Sequence, residues 1–165
     1  MKNFIFICVA CLLSSCLGKP EFSNTPLITF KSVQILAPQG QKYGDSLLLT
    51  VEFEDGDGDL GTFDTAFTAK NFNILIFKKV QNSFSAVKFI DPTFPLNSTF
   101  PTLNSVSNSP IKGELRQSIQ FAYLVGGTTP SLNKGDIVKF QIQIIDRAKN
   151  KSNIVESNEV VLGKY

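Results

Sequence analysis

The sequence predicts an all-β fold, an antiparallel β-sandwich of about seven strands. Three observations carry this reading. Apolar and polar residues alternate with a period of two in run after run, the mark of strands with one buried face. Turn signals built on Gly, Pro, Asn and Asp separate these runs at short intervals. No stretch beyond Pro26 shows the longer period of an amphipathic helix. The 165 residues are enough for one domain with a full hydrophobic core.

Residues 1–15 read as a signal peptide, outside that domain. Lys2 gives a positive start, and Phe4 to Leu13 is an apolar run. The run is too short to span a bilayer, which takes about twenty residues, but suits a signal-peptide core. It ends Leu13-Ser14-Ser15-Cys16, which resembles the bacterial lipobox. The resemblance implies cleavage before Cys16, transfer of diacylglycerol to its sulfur and a further N-acyl chain, a stable anchor because more than one chain inserts. Residues 16–26 then form a lipidated Cys and a tether, in which Gly18, Pro20, Ser23, Asn24 and Pro26 suppress any periodic pattern. The other two cysteines, Cys8 and Cys11, leave with the signal, so the mature domain has no disulfide despite an oxidising export route.

The sandwich is expected over residues 27–165. Leu27 to Leu36 is a first strand whose Ile28, Phe30, Val33 and Ile35 alternate imperfectly. Ala37 to Asp45, with Pro38, Gly40 and Gly44, turns the chain. Ser46 to Glu54 alternates cleanly, Leu47, Leu49, Val51 and Phe53 on one face. Asn71 to Val80 is apolar on both faces, through Phe72, Ile74 and Ile76 and through Leu75 and Phe77, as a central or loop-covered strand would be. Phe84 to Ile90 is its hairpin partner across Gln81, Asn82 and Ser83. Asp91 to Pro110, rich in Pro, Ser, Thr and Asn, is a long connection whose Phe94 and Phe100 pin it to the sheet, or else a binding arm. Ile111 to Tyr123 and Asp136 to Asp146 are the clearest strands, with Ile119 and Phe140 inward. Ile154 to Leu162 is the last.

Lys134-Gly135-Asp136, the alternating run after it, Asp146-Arg147-Ala148-Lys149-Asn150, Ser152-Asn153 and the final strand resemble the closing hairpin of immunoglobulin-like and fibronectin-III-like domains. The resemblance implies that the sandwich is immunoglobulin-like. The chain as a whole resembles a lipoprotein type frequent in Bacteroidota, in which a strand ending Asp-Gly-Asp-Gly-Asp precedes such a hairpin. That likeness implies the fold and a cell-envelope location, and little about activity.

The chemistry concentrates after the second strand. Glu52, Glu54, Asp55, Asp57, Asp59 and Asp64 are six of the fourteen acids of the chain, and no Lys or Arg lies among them. Such a cluster repels itself unless a cation or water screens it. Asp55, Asp57 and Asp59, spaced by Gly56 and Gly58, can curl around one hard cation. The EF-hand template fails, because Leu60 stands where its Gly belongs and Ala66 where its bidentate Glu belongs. In a sandwich, the loop after the sixth strand reaches the same end as the loop after the second. That brings Asp146, with the carbonyls of the Arg147 to Asn150 turn, toward the loop and gives a candidate Ca2+ set of Asp55, Asp57, Asp59 and Asp146. The alternative is a Gly-rich turn whose Asp side chains hydrogen-bond nearby amides.

No His is present, which removes the commonest general base and zinc ligand. The carboxylates share one loop and do not face each other across a cleft, unlike those of a glycosidase. No catalysis is expected. Asp64-Thr65-Ala66 resembles the Asp-Ser/Thr-hydrophobic O-glycosylation sequon of Bacteroidota, which implies Thr65 as an acceptor. Without Lys2, 15 basic side chains face 14 acidic ones, so no nucleic-acid partner is indicated. The expected protein is an outer-membrane lipoprotein, periplasmic or surface-facing, held to the membrane by its lipid. It acts as a binding or structural module toward a protein or glycan. The alternative is an accessory subunit of a surface uptake complex for polysaccharide or protein.

Overall fold

The computed structural model describes residues 21–36, 44–64, 70–87, 96–103, 109–122 and 132–163. The signal segment, Cys16, Thr65 and Phe94 lie outside these residues. The described chain is all-β, with two antiparallel sheets and no helix. Its strands are β1 (Leu27–Leu36), β2 (Gly44–Asp55), β3 (Phe72–Val80), β4 (Ser83–Ala86), β5 (Ile111–Ala122), β6 (Ile137–Ile144), β7 (Val155–Glu156) and β8 (Val160–Val161). One sheet runs β1-β2-β5; the other runs β4-β3-β6-β7, with β8 also on β6. The inner faces meet as a sandwich.

The two-residue alternation decides what is inside. Leu47, Leu49 and Val51 of β2 and Val138, Phe140, Ile142 and Ile144 of β6 are fully buried, joined by Leu115 and Ile119 of β5. Phe72, Ile74 and Ile76 of β3 complete one continuous core. Phe100 packs on it edge-to-face with Phe72, ring centroids 6.3 Å apart. Buried Asn71 holds Phe100 in place, its Nδ2 donating to the Phe100 carbonyl at 3.1 Å and its Oδ1 accepting the Phe100 amide at 2.9 Å. The long connection is therefore pinned to the sheet through Phe100.

Several sequence expectations are corrected. The uneven alternation of β1 is a β-bulge. Phe30 pairs with Val51 but Ser32 with Thr50, so Lys31 is the extra residue and the inward set resumes one position late at Val33. Lys31 leaves the sheet to pair with Glu52 at 2.8 Å and with Glu114. β3 is internal, between β4 and β6, yet Leu75 on its outer face is 56% exposed, so the second apolar face is not covered there. β4 ends at Ala86, and its turn is only Gln81-Asn82, made tight by Gln81 at φ 55°. The single last strand expected over Ile154 to Leu162 is two short ones, which raises the count to eight.

The physical reason for that split is a repeated Ser-Asn device. The Phe140 amide donates to Ser157 Oγ at 2.9 Å, while the Ser157 amide donates to the Phe140 carbonyl at 2.8 Å. At Ile144 the same pair of bonds forms with Ser152, each 3.0 Å. Each Ser hydroxyl then donates to the carbonyl of the Asn that follows. A side-chain oxygen thus replaces a backbone carbonyl in the ladder, and the register slips by one on either side of β7.

Candidate metal centre

The inward set of β2 continues through Phe53 to Asp55. The alternation that buries Leu47, Leu49 and Val51 carries a carboxylate into the end of the core, where Asp55 has no exposed surface. Two Gly residues then let the chain curl. Gly58 adopts φ 68°, the left-handed region that a side chain disfavours. The turn brings Asp57 and Asp59 back over Asp55. One oxygen from each of the three carboxylates lies within 4.8 Å of the others. Oxygens on one Ca2+ at about 2.4 Å can be no more than about 4.8 Å apart, so the spacing suits that ion.

The electrostatics are unfavourable without a cation. Both oxygens of Asp55, Oδ1 of Asp57 and Oδ1 of Asp59 are buried and accept no hydrogen bond. Burial, then the charges of Asp57 and Asp59, push the Asp55 carboxyl up to about 6 from 3.8. The Asp59 amide offsets a little of this, without reaching an Asp55 oxygen in hydrogen-bonding geometry. Asp59 is raised as well, chiefly by burial and then by Asp146. Carboxylates with unfilled lone pairs, turned toward one point in a buried loop, form a donor set for a hard, oxygen-seeking cation.

The loop after β6 does meet this one. The Ala148 amide donates to Asp59 Oδ2 at 3.0 Å, and the Arg147 amide to the Asp59 carbonyl at 3.3 Å. Asp146, 3% exposed, shapes its own turn. Its Oδ1 accepts the Asn150 amide at 2.7 Å and its Oδ2 the Asn150 side-chain amide at 2.8 Å. The converging oxygens are those of Asp55, Asp57 and Asp59; Asp146 acts on Asp55 and Asp59 as a nearby charge.

No family model, curated protein or solved structure matches this chain.

The guanidinium of Arg147 is a participant that sequence reasoning missed, having expected only the carbonyls of its turn near the acidic loop. Its charge lowers Asp59, against burial and the charges of Asp146 and Asp57, which raise it. The guanidinium donates to Thr102 Oγ1 at 3.0 Å and to the Leu60 carbonyl at 3.4 Å, and stacks 4.7 Å from the Phe63 ring centroid. It comes from a turn remote in sequence, so only the expected meeting of the two loops could have pointed to it. Buried Asp55 carried a local signal: it falls on the same face as Phe53 when the alternation of β2 is extended.

Proposed function

We propose that this protein is a non-catalytic, lipid-anchored module of the cell envelope whose sandwich is stabilised by Ca2+ on Asp55, Asp57 and Asp59. The observation that carries the calcium reading is Asp55, a fully buried carboxylate with neither oxygen hydrogen-bonded, aimed at two further carboxylates. Magnesium suits the site less, since it demands rigid octahedral geometry and keeps several waters. Leu13-Ser14-Ser15-Cys16 supports the anchor. A binding role toward a protein or glycan is supported by the outer face of the larger sheet. There Leu75 and Ile154, 56% and 58% exposed, stand beside the amide side chains of Asn73, Gln141 and Gln143 around a shallow groove.

A calcium titration tests the site. Calcium sites of extracellular modules bind at about 0.1–1 mM. The melting temperature rises across millimolar Ca2+ and returns with chelator, because the ion binds only the folded state. Asp57→Asn blunts the response. A flat melting curve with no heat in calorimetry rejects the calcium reading. The anchor is tested separately: intact-mass measurement finds acyl chains on Cys16 and none in Cys16→Ala, and an unmodified Cys16 in the wild type rejects it.

A further inference from the structure

The segment before β1 does not hang free of the domain. It docks on the acidic loop, at the residue between two of the three converging carboxylates. The Gly56 amide donates to the Ser23 carbonyl at 2.8 Å. The approach is so close that a Cβ on Gly56 would collide with the carbonyl of Phe22 and the backbone of Ser23. Gly56 is not in the left-handed region, so this contact, and not backbone strain, is what requires Gly there. Downstream, Pro26 is buried. The Ile28 amide and carbonyl are then both held by the Asn153 side chain, at 2.8 and 2.9 Å. Between Ser23 and the start of β1, the Thr25 amide donates to Ser23 Oγ at 3.0 Å and makes a local turn, and Leu27 then pairs with Glu54 of β2.

We propose that cation binding on Asp55, Asp57 and Asp59 and docking of residues 21–26 on Gly56 are coupled, so that the ion clamps the N-terminal lead to the domain and its withdrawal releases it. This rests on the calcium reading above. The physical basis is that Asp55 and Asp57 must hold one arrangement to share an ion, and Gly56, lying between them, then presents its amide in one direction. Without an ion, repulsion among the carboxylates favours a wider set of loop conformations, few of which keep the Gly56 amide on Ser23. Linkage makes the effect reciprocal: whatever weakens docking weakens ion affinity by the same factor. In the lipid-anchored protein, the clamp sets where the domain's rigid body begins relative to its tether.

The test uses the purified chain with Ca2+ or with EDTA, following amide exchange at Gly56 and chymotrypsin cleavage after Phe22. Both slow about tenfold or more with Ca2+, within the usual range of coupling between two sites. In Asp57→Asn neither responds. Gly56→Ala retains all three carboxylates but lifts the lead, so its calcium affinity in calorimetry falls by about the same factor. Calcium binding with unchanged exchange and cleavage in the wild type overturns the clamp and leaves the site standing. Unchanged affinity in a folded Gly56→Ala does the same. Absence of calcium binding in the wild type overturns both readings. If Gly56→Ala does not fold, the wild-type exchange and cleavage decide alone.

Discussion

Asp55 is the residue at which the fold and its chemistry conflict. Its position on the inner face of β2 buries it, while its charge asks for water or a counterion. A carboxyl raised in the folded state from 3.8 to about 6 binds its proton more tightly there than in the unfolded chain. Stability without a cation therefore falls as pH rises from about 4 to about 6, the direction opposite to that of a salt-bridged Asp. Calcium, which needs the carboxylate ionised, reverses the penalty. The calcium-dependent rise in melting temperature is accordingly large at pH 7 and vanishes near pH 4. Asp55→Asn removes the charge at nearly constant volume. It raises the melting temperature of the cation-free protein at pH 7 and abolishes the calcium response. If Asp55→Asn is less stable than the cation-free wild type at pH 7, burial of the charge is not the dominant cost.

At the scale of elements, the strands divide by who makes their hydrogen bonds. β2 and β5 were legible because backbone pairs with backbone, leaving side chains free to follow the two-residue period that places Leu49 and Ile119 inward; β6 keeps that period, with Phe140 inward, through its regular ladder with β3. β1 was legible only in part: its uneven alternation is the trace of the bulge at Lys31, but the pairing with β2 that defines a bulge is not written in β1 alone. The end of the chain was misread because Ser152 and Ser157 enter the ladder through their hydroxyls, an interaction with no periodicity. The acidic loop was legible as a cluster, but the reach of Arg147 to Leu60 and Thr102 depends on tertiary contact. The Ser device is testable. Ser157→Ala leaves the Phe140 amide, in the centre of the core strand, without its acceptor, and costs about 1–3 kcal/mol. Phe140→Ala removes a fully buried ring and costs about 3–5 kcal/mol. Chemical denaturation measures both. A loss below about 0.5 kcal/mol for Ser157→Ala, as at an ordinary surface site, shows that water replaces the hydroxyl.

Across the whole molecule, the acidic loop joins the two sheets. It leaves β2 of the smaller sheet, and its Asp59 is held by Arg147 and Ala148 from the turn that follows β6 of the larger one. It also grips the connection between β4 and β5: Gly61 lies against the Pro101 carbonyl, with no room for a side chain, and the Thr62 amide donates to the Phe100 carbonyl at 3.2 Å. An ion at Asp55, Asp57 and Asp59 thus stiffens a loop on which both layers depend, and its binding energy stabilises the sandwich globally. Ligand linkage fixes the size: about 2.7 kcal/mol when free Ca2+ is a hundred times its dissociation constant. The measurement is native-state amide exchange in core strands of both sheets, at Val51 in β2 and Phe140 in β6, with Ca2+ and with chelator. Where exchange proceeds through global unfolding, both amides slow together, by about a hundredfold at that saturation. Slowing of Val51 alone would mean that the larger sheet opens without releasing the ion, and that the contacts of Arg147 and Ala148 with Asp59 do not couple the two layers.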